Sequence, residues 1–206
     1  MDLILSYLNS MVFYNILFLP IYLIDRRTHI KKNKKKNISI NYLYEAILLA
    51  FVMYSIAMAS QTIIPEYEVY MDINNQIKID IDVGTETSRI NLIPFNTLNR
   101  YLFMESRTLD NWNVVSLINL VGNSFLFSPI GIVLPLLYKK FDSFKIIFLT
   151  GLMTTLSIEF IQIFIKRSVD IDDIILNTIG VIIGYILYKI FKKFKFFRKF
   201  IYKVRK

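Results

Sequence analysis

Five apolar runs, each about as long as a bilayer is thick, constrain this chain more than anything else in it. A helix needs roughly 20 mostly apolar residues to cross the hydrocarbon core. Residues 3–24, 42–64, 114–138, 146–165 and 174–191 each meet that test, and together they take up about half of the chain. They predict an all-α integral membrane bundle of about five transmembrane helices, a single membrane domain over residues 1–206. Hydrophobic residues are 54% of the chain, with 17 Phe and 13 Tyr, more apolar surface than one soluble core of this size could hide. The first run reads as a retained helix rather than a cleaved leader. It starts Met1-Asp2-Leu3, and its positive residues follow the apolar stretch instead of preceding it.

Charge placement gives an orientation. Residues 25–41 carry seven Lys and Arg, residues 139–145 three, and residues 189–206 nine. With five spans these three regions share one side, against six Lys and Arg on the other. The positive-inside rule then predicts an outer N-terminus and a basic cytoplasmic tail at residues 192–206. The same placement accounts for the net charge of +9 without nucleic acid: the Lys clusters sit where anionic lipid headgroups attract them. In the tail, Phe191, Phe194, Phe197 and Ile201 recur at helical spacing among Lys and Arg. That suits either a helix lying on the inner surface or simple snorkelling anchors.

The sequence contains no Cys, which removes disulfides, thiol nucleophiles and Cys-ligated metals. Its one histidine, His29, lies in the basic loop and cannot supply a multi-His metal site or a Ser-His-Asp triad. No cofactor is expected.

Residues 65–113 form the one sizeable outer loop. Ile77, Ile79, Ile81 and Val83 alternate with Lys78, Asp80 and Asp82, the period of a half-buried strand. Residues 66–71 also favour a strand, and Asn74-Asn75 marks a turn, so a small hairpin is predicted. Phe95, Leu98, Tyr101 and Leu102 then repeat at helical spacing, the pattern of a short interfacial helix.

Polar residues within the spans fall at one depth. At 1.5 Å of rise per residue, Asn119 and Asn123 lie about 8 and 14 Å below the outer end of the third span, on one face. Gln162 and Glu159 lie about 5 and 9 Å below the outer end of the fourth, again on one face. Asn177 is one turn into the fifth span, on a stripe with Gly180 and Gly184. Asn9 and Ser10 also fall in an outer half. A carboxylate facing lipid costs about 2.5–3.5 kcal/mol on insertion scales, so Glu159 should point inward at a partner, with Lys166, Arg167 and Arg89 as the cations nearby. Gly180-x-x-x-Gly184 reads as close helix contact. Asp170 and Asp173 flank the start of the fifth span, where capping and ligand binding both remain open.

Three segments, taken together, resemble the VanZ-like family of bacterial membrane proteins. The first is Arg89-Ile90-Asn91-Leu92-Ile93-Pro94-Phe95. The second runs from Asn119 through Asn123, Phe127, Pro129 and Gly131 to Pro135. The third holds Glu159, Gln162, Arg167-Ser168-Val169-Asp170-Ile171-Asp172-Asp173, Asn177, Gly180 and Gly184-Tyr185. The resemblance covers about residues 89–188. Ser128 and Lys166 depart from it, standing where a hydrophobic and a small residue are common. It implies a cell-envelope protein, since the family's namesake is associated with low-level resistance to teicoplanin, a lipoglycopeptide that binds peptidoglycan precursors.

The expected ligand-binding residues are therefore Arg89, Asn91, Asn119, Asn123, Glu159, Gln162, Arg167, Asp170, Asp173 and Asn177. Their expected ligand is an amphipathic molecule such as a lipid-linked cell-wall precursor or a lipoglycopeptide, with membrane lipids around the protein and oligomers left open. The alternative is a membrane enzyme that modifies a lipid or surface polymer. There Glu159 would serve as general base, or Glu159, Asp170 and Asp173 would hold a divalent metal. A transporter fits less well, because the polar groups keep to one half and no internal repeat is visible.

Overall fold

The computed structural model describes residues 2–63, 67–71, 77–81, 90–97, 99, 112–165 and 167–206, with side chains at 8–63, 91–97, 99, 122–165 and 167–206. These residues form six helices: α1 (Asp2–Lys35), α2 (Tyr42–Thr62), α3 (Trp112–Leu137), α4 (Phe144–Phe164), α5 (Ile171–Lys192) and α6 (Lys195–Arg205). Four short strands accompany them: β1 (Tyr67–Met71), β2 (Ile77–Ile81), β3 (Ile90–Asn91) and β4 (Val169–Asp170). The molecule is an all-α membrane bundle. By length and composition α1, α2, α4 and α5 can each cross a membrane, and α3 is 26 residues long with an apolar Gly122–Leu137 stretch.

The first helix differs from expectation. The apolar run ends near residue 24, yet α1 continues through the basic segment to Lys35. Lys and Arg are good helix formers, and the segment has no Gly or Pro to stop it. The stop comes at Asn37, which adopts the left-handed conformation (φ 54°) that Asn tolerates better than most residues. Asn41 then starts α2: its Oδ1 accepts the N–H groups of Leu43 (3.0 Å) and Tyr44 (3.1 Å). The Nδ2 of the same side chain donates to the Lys203 and Val204 carbonyls at the end of α6. One amide thus caps two helices.

α3 and α5 approach most intimately. A Cβ on Gly180 would meet the Ser124 carbonyl, one on Gly184 the Ser128 carbonyl oxygen, and one on Gly131 the Val181 carbonyl oxygen. The pairings Gly180 over Ser124 and Gly184 over Ser128 make the two helices parallel, so α4 must return between them. Gly151 of α4 faces the Val181 side chain. Around this seam lie Phe127, Ile130, Leu136, Ile147, Ile158, Val181 and Tyr188, all buried. Pro129 and Pro135 both sit inside α3. Proline at 129 leaves the Phe125 carbonyl without its helical donor, and the Ser128 hydroxyl supplies one at 3.0 Å. The departure at Ser128 therefore mends the backbone.

The remaining helices attach at their ends. Arg26 grips both Glu45 carboxylate oxygens at 2.6 Å, and Gln61 Nε2 donates to Ser10 Oγ at 2.9 Å, so α1 is pinned to α2 at two points. From Leu8 onward α1 has no buried residue. Tyr54 of α2 donates its hydroxyl to the Leu126 carbonyl of α3. The expected amphipathic tail begins later than the spacing suggested. Phe191 closes α5 and Phe194 is the residue before α6, while Ile201 and Val204 turn inward to the core. Arg205 donates to the Pro135 and Leu136 carbonyls, holding α6 against the end of α3.

Between α2 and α3, β1 and β2 form the predicted hairpin, antiparallel, with Tyr67 opposite Ile81 and Met71 opposite Ile77. The turn at Asn74-Asn75 lies outside the described residues, as does most of the expected helix after Phe95, including Leu98, Tyr101 and Leu102.

The bundle has two chemically different ends. At one, Asp142 accepts from Lys189 Nζ (3.2 Å) and Lys192 Nζ, near Arg26–Glu45 and α6. At the other gather the carboxylates and amides that the sequence placed at a single depth.

Candidate functional site

The second end is organised by the start of α5. Asp170 is the cap of that helix, its Oδ1 accepting the Asp172 N–H at 2.9 Å. The same oxygen accepts from Asn91 Nδ2 at 3.1 Å, and Oδ2 accepts from Thr97 Oγ1. The backbone joins the same two segments, since β3 pairs in parallel with β4, Ile90 beside Val169 and Asn91 beside Asp170. Asp172, fully buried, accepts the Phe95 N–H at 2.6 Å and the Thr97 N–H at 2.8 Å. Phe95 is held there with φ 65°, a conformation that costs a bulky residue on the order of 1–3 kcal/mol and needs such anchors. Two acids at i and i+2 on a helix start thus fasten residues 91–97 to the bundle, favoured also by the positive end of the helix dipole.

Beneath that clamp lie the helix side chains. Glu159 of α4 is 4% exposed, and its Oε2 accepts the Asp170 N–H at 3.2 Å. This backbone amide is its donor among the described residues, and two of the cations anticipated from sequence, Arg89 and Lys166, lie outside them. Arg167 lies within electrostatic range of Glu159 and Asp173, but its Nη1 donates to the Gln61 carbonyl of α2 at 3.3 Å. Gln162, on the face of Glu159, donates Nε2 to the Thr62 carbonyl at 2.9 Å. Asp173 accepts from Asn123 Nδ2 of α3 at 3.1 Å. One turn on, Asn177 is 5% exposed. Thr155 and Thr178, 3.4 Å apart, bridge α4 and α5 below.

Eight of the ten expected residues can be placed. Asn123, Glu159, Gln162, Arg167, Asp170, Asp173, Asn177 and Asn91 all lie at this end, and all but Asn177 make contacts that join α2, α3, α4, α5 and residues 91–97. Arg89, the Asn119 side chain and Lys166 lie outside the described residues. Asp170 and Asn91 are tied to each other. The idea that Glu159, Asp170 and Asp173 hold a metal finds no support in their arrangement: among the described residues, no three acid or imidazole groups are placed to hold an ion. Sequence reasoning passed over Asp172 and Thr97 as site residues. The Asp170-x-Asp172 spacing at a helix start was a usable signal for Asp172, whereas Thr97 is recognisable only once β3 meets β4.

A multi-pass helical membrane protein with a polar, acid-rich end, to which residues 91–97 are fastened, is the class these contacts define. A model of the VanZ/LLP1 family matches residues 51–192, and the chain belongs to that family. The match reaches further back than the resemblance at residues 89–188, taking in the second half of α2 and the hairpin. Neither the curated proteins nor the solved structures provide a match.

Proposed function

We propose that this chain is a bacterial cell-envelope protein whose acid-and-amide end faces outward and holds the polar head of an amphipathic molecule, lowering susceptibility to teicoplanin-like antibiotics. The molecule is a lipid-linked cell-wall precursor or a lipoglycopeptide, its acyl portion remaining in the bilayer beside α3, α4 and α5. The orientation rests on the positive-inside rule, with the lysine-rich ends of α1, α5 and α6 in the cytoplasm and the N-terminus outside. The observation that carries the reading is Glu159. An ionisable group buried in a spanning helix, with one backbone amide as its described hydrogen-bond donor, is costly to keep and serves a ligand better than it serves packing.

The test is Glu159→Gln, which preserves shape and removes the charge. Cells expressing the wild-type chain should bind less fluorescent lipoglycopeptide than cells without it. Cells expressing the variant, at matched membrane levels, should bind as much as cells without the protein. Full protection by the inserted variant refutes the reading.

A further inference from the structure

Hydrogen-bond bookkeeping at the polar end says what kind of head group fits. Each of two helices contributes an acid and, about one turn away, an amide: Glu159 with Gln162 on α4, Asp173 with Asn177 on α5. Glu159 accepts the N–H of Asp170, the cap of α5, so the two pairs meet at the start of that helix. Among the described residues four donors there are committed: Gln162 Nε2 to Thr62, Asn123 Nδ2 to Asp173, the Asp170 N–H to Glu159, and Arg167 Nη1 to Gln61. Two buried acceptors are left over. Gln162 is 9% exposed and Asn177 5%, and the carbonyl oxygens Gln162 Oε1 and Asn177 Oδ1 are buried with no partner. Native proteins rarely leave such atoms unsatisfied, because each forfeits its hydration without return. An anionic head, which brings only acceptors, would add repulsion from Glu159 and Asp173. A head that brings N–H donors and positive charge answers both the orphaned carbonyls and the acids.

Resting on the reading given above, we infer that this end recognises a primary ammonium group on its amphipathic ligand, seated among Glu159, Gln162, Asp173 and Asn177. The ligand class is an amine-bearing amphiphile, and the site discriminates N–H donors as well as charge.

The experiment uses the full chain in phosphatidylcholine nanodiscs, with binding read from thermal stabilisation during titration. Three probes separate the contributions. Dodecylamine carries charge and N–H donors, dodecyltrimethylammonium carries charge alone, and dodecyl glucoside carries neutral hydroxyl donors. Dodecylamine should bind about ten-fold tighter than either of the others, the scale of one or two hydrogen bonds to a charged group. Gln162→Leu and Asn177→Leu should each bring it down to the level of the trimethylammonium probe, and either variant suffices if the other fails to fold. Equal binding of the two cations overturns the inference, as does a preference that survives both substitutions. Preference for the glucoside also overturns it, yet leaves an amphiphile site standing. The proposed function itself falls only if Glu159→Gln still protects cells.

Discussion

The α3–α5 seam allows a sharp test, because the chain contains its own control. Gly184 in α5 lies against the Ser128 carbonyl so closely that an added Cβ would overlap the oxygen, whereas a Cβ on Gly122 in α3 would meet nothing within 4 Å. Relieving the overlap at Gly184 means separating two backbones by roughly 1 Å, and a gap of that size forfeits a quarter to a half of each dispersion contact across the seam. Each contact is worth about 0.1–0.2 kcal/mol, and a few tens of them span a seam of this length, so Gly184→Ala should cost about 2–3 kcal/mol, within the usual range for overpacking. Gly122→Ala meets no obstacle and removes a helix-interior glycine, a gain of up to about 1 kcal/mol. Gly151→Ala should fall between them, because its nearest neighbour is the Val181 side chain at 3.0 Å rather than backbone. Thermal unfolding of the three purified variants in one detergent, followed by the fluorescence of Trp112 and the tyrosines, checks the order. A Gly184→Ala protein as stable as wild type, or a Gly122→Ala protein as damaged as Gly184→Ala, would refute the claim that backbone contact sets this seam.

Two further outcomes are expected. Asp172→Ala removes the acceptor of the Phe95 and Thr97 N–H groups and should release the loop, raising hydrogen exchange at those two amides about 100-fold, as expected for about 3 kcal/mol of charge-assisted bonding; unchanged exchange would contradict the clamp. Asp142 titrates below its ordinary value near 3.8: burial pushes its carboxyl up, but hydrogen bonds from Lys192 and Lys189 outweigh burial and hold it down. Because the unfolded chain then takes up the proton first, the stability this group contributes is present above about pH 4 and is lost as pH falls through its lower folded value. Melting temperatures of wild type and Asp142→Asn, measured from pH 6 to pH 3, should therefore converge at the acid end, and parallel curves would count against the Lys–Asp contacts.

Much of the architecture was legible in the residues because a membrane demands a long apolar run for each crossing, and such runs leave little room for misreading. Gly180 and Gly184 announced close packing for the same reason, since small residues four apart have one common use inside a bilayer. The period-two alternation of residues 77–83 gave the hairpin. The gathering of Glu159, Gln162 and Asn123 at one end of the bundle followed from helix rise alone. What the chain did not disclose are contacts between segments far apart in sequence. The parallel pairing of Asn91 with Asp170 is two residues long and has no local pattern. The Asp170 amide that donates to Glu159 belongs to the backbone, whereas a sequence displays only side chains. The length of α1 was underestimated because hydropathy reports where lipid ends, not where hydrogen bonding ends, and Lys-rich segments continue a helix readily in water.

The fifth long helix begins with Asp172 and Asp173 and finishes with Lys189 and Lys192. Negative charge at its amino end and positive charge at its carboxyl end both oppose the helix's own partial charges, so each terminus is eased by its neighbours. The same polarity matters to the machinery that inserts it, for which lysine is difficult to export. A segment marked in this way has one inexpensive direction of threading, and a mutant in which acids and lysines trade places should favour the reverse direction while losing the charges that ease its two ends.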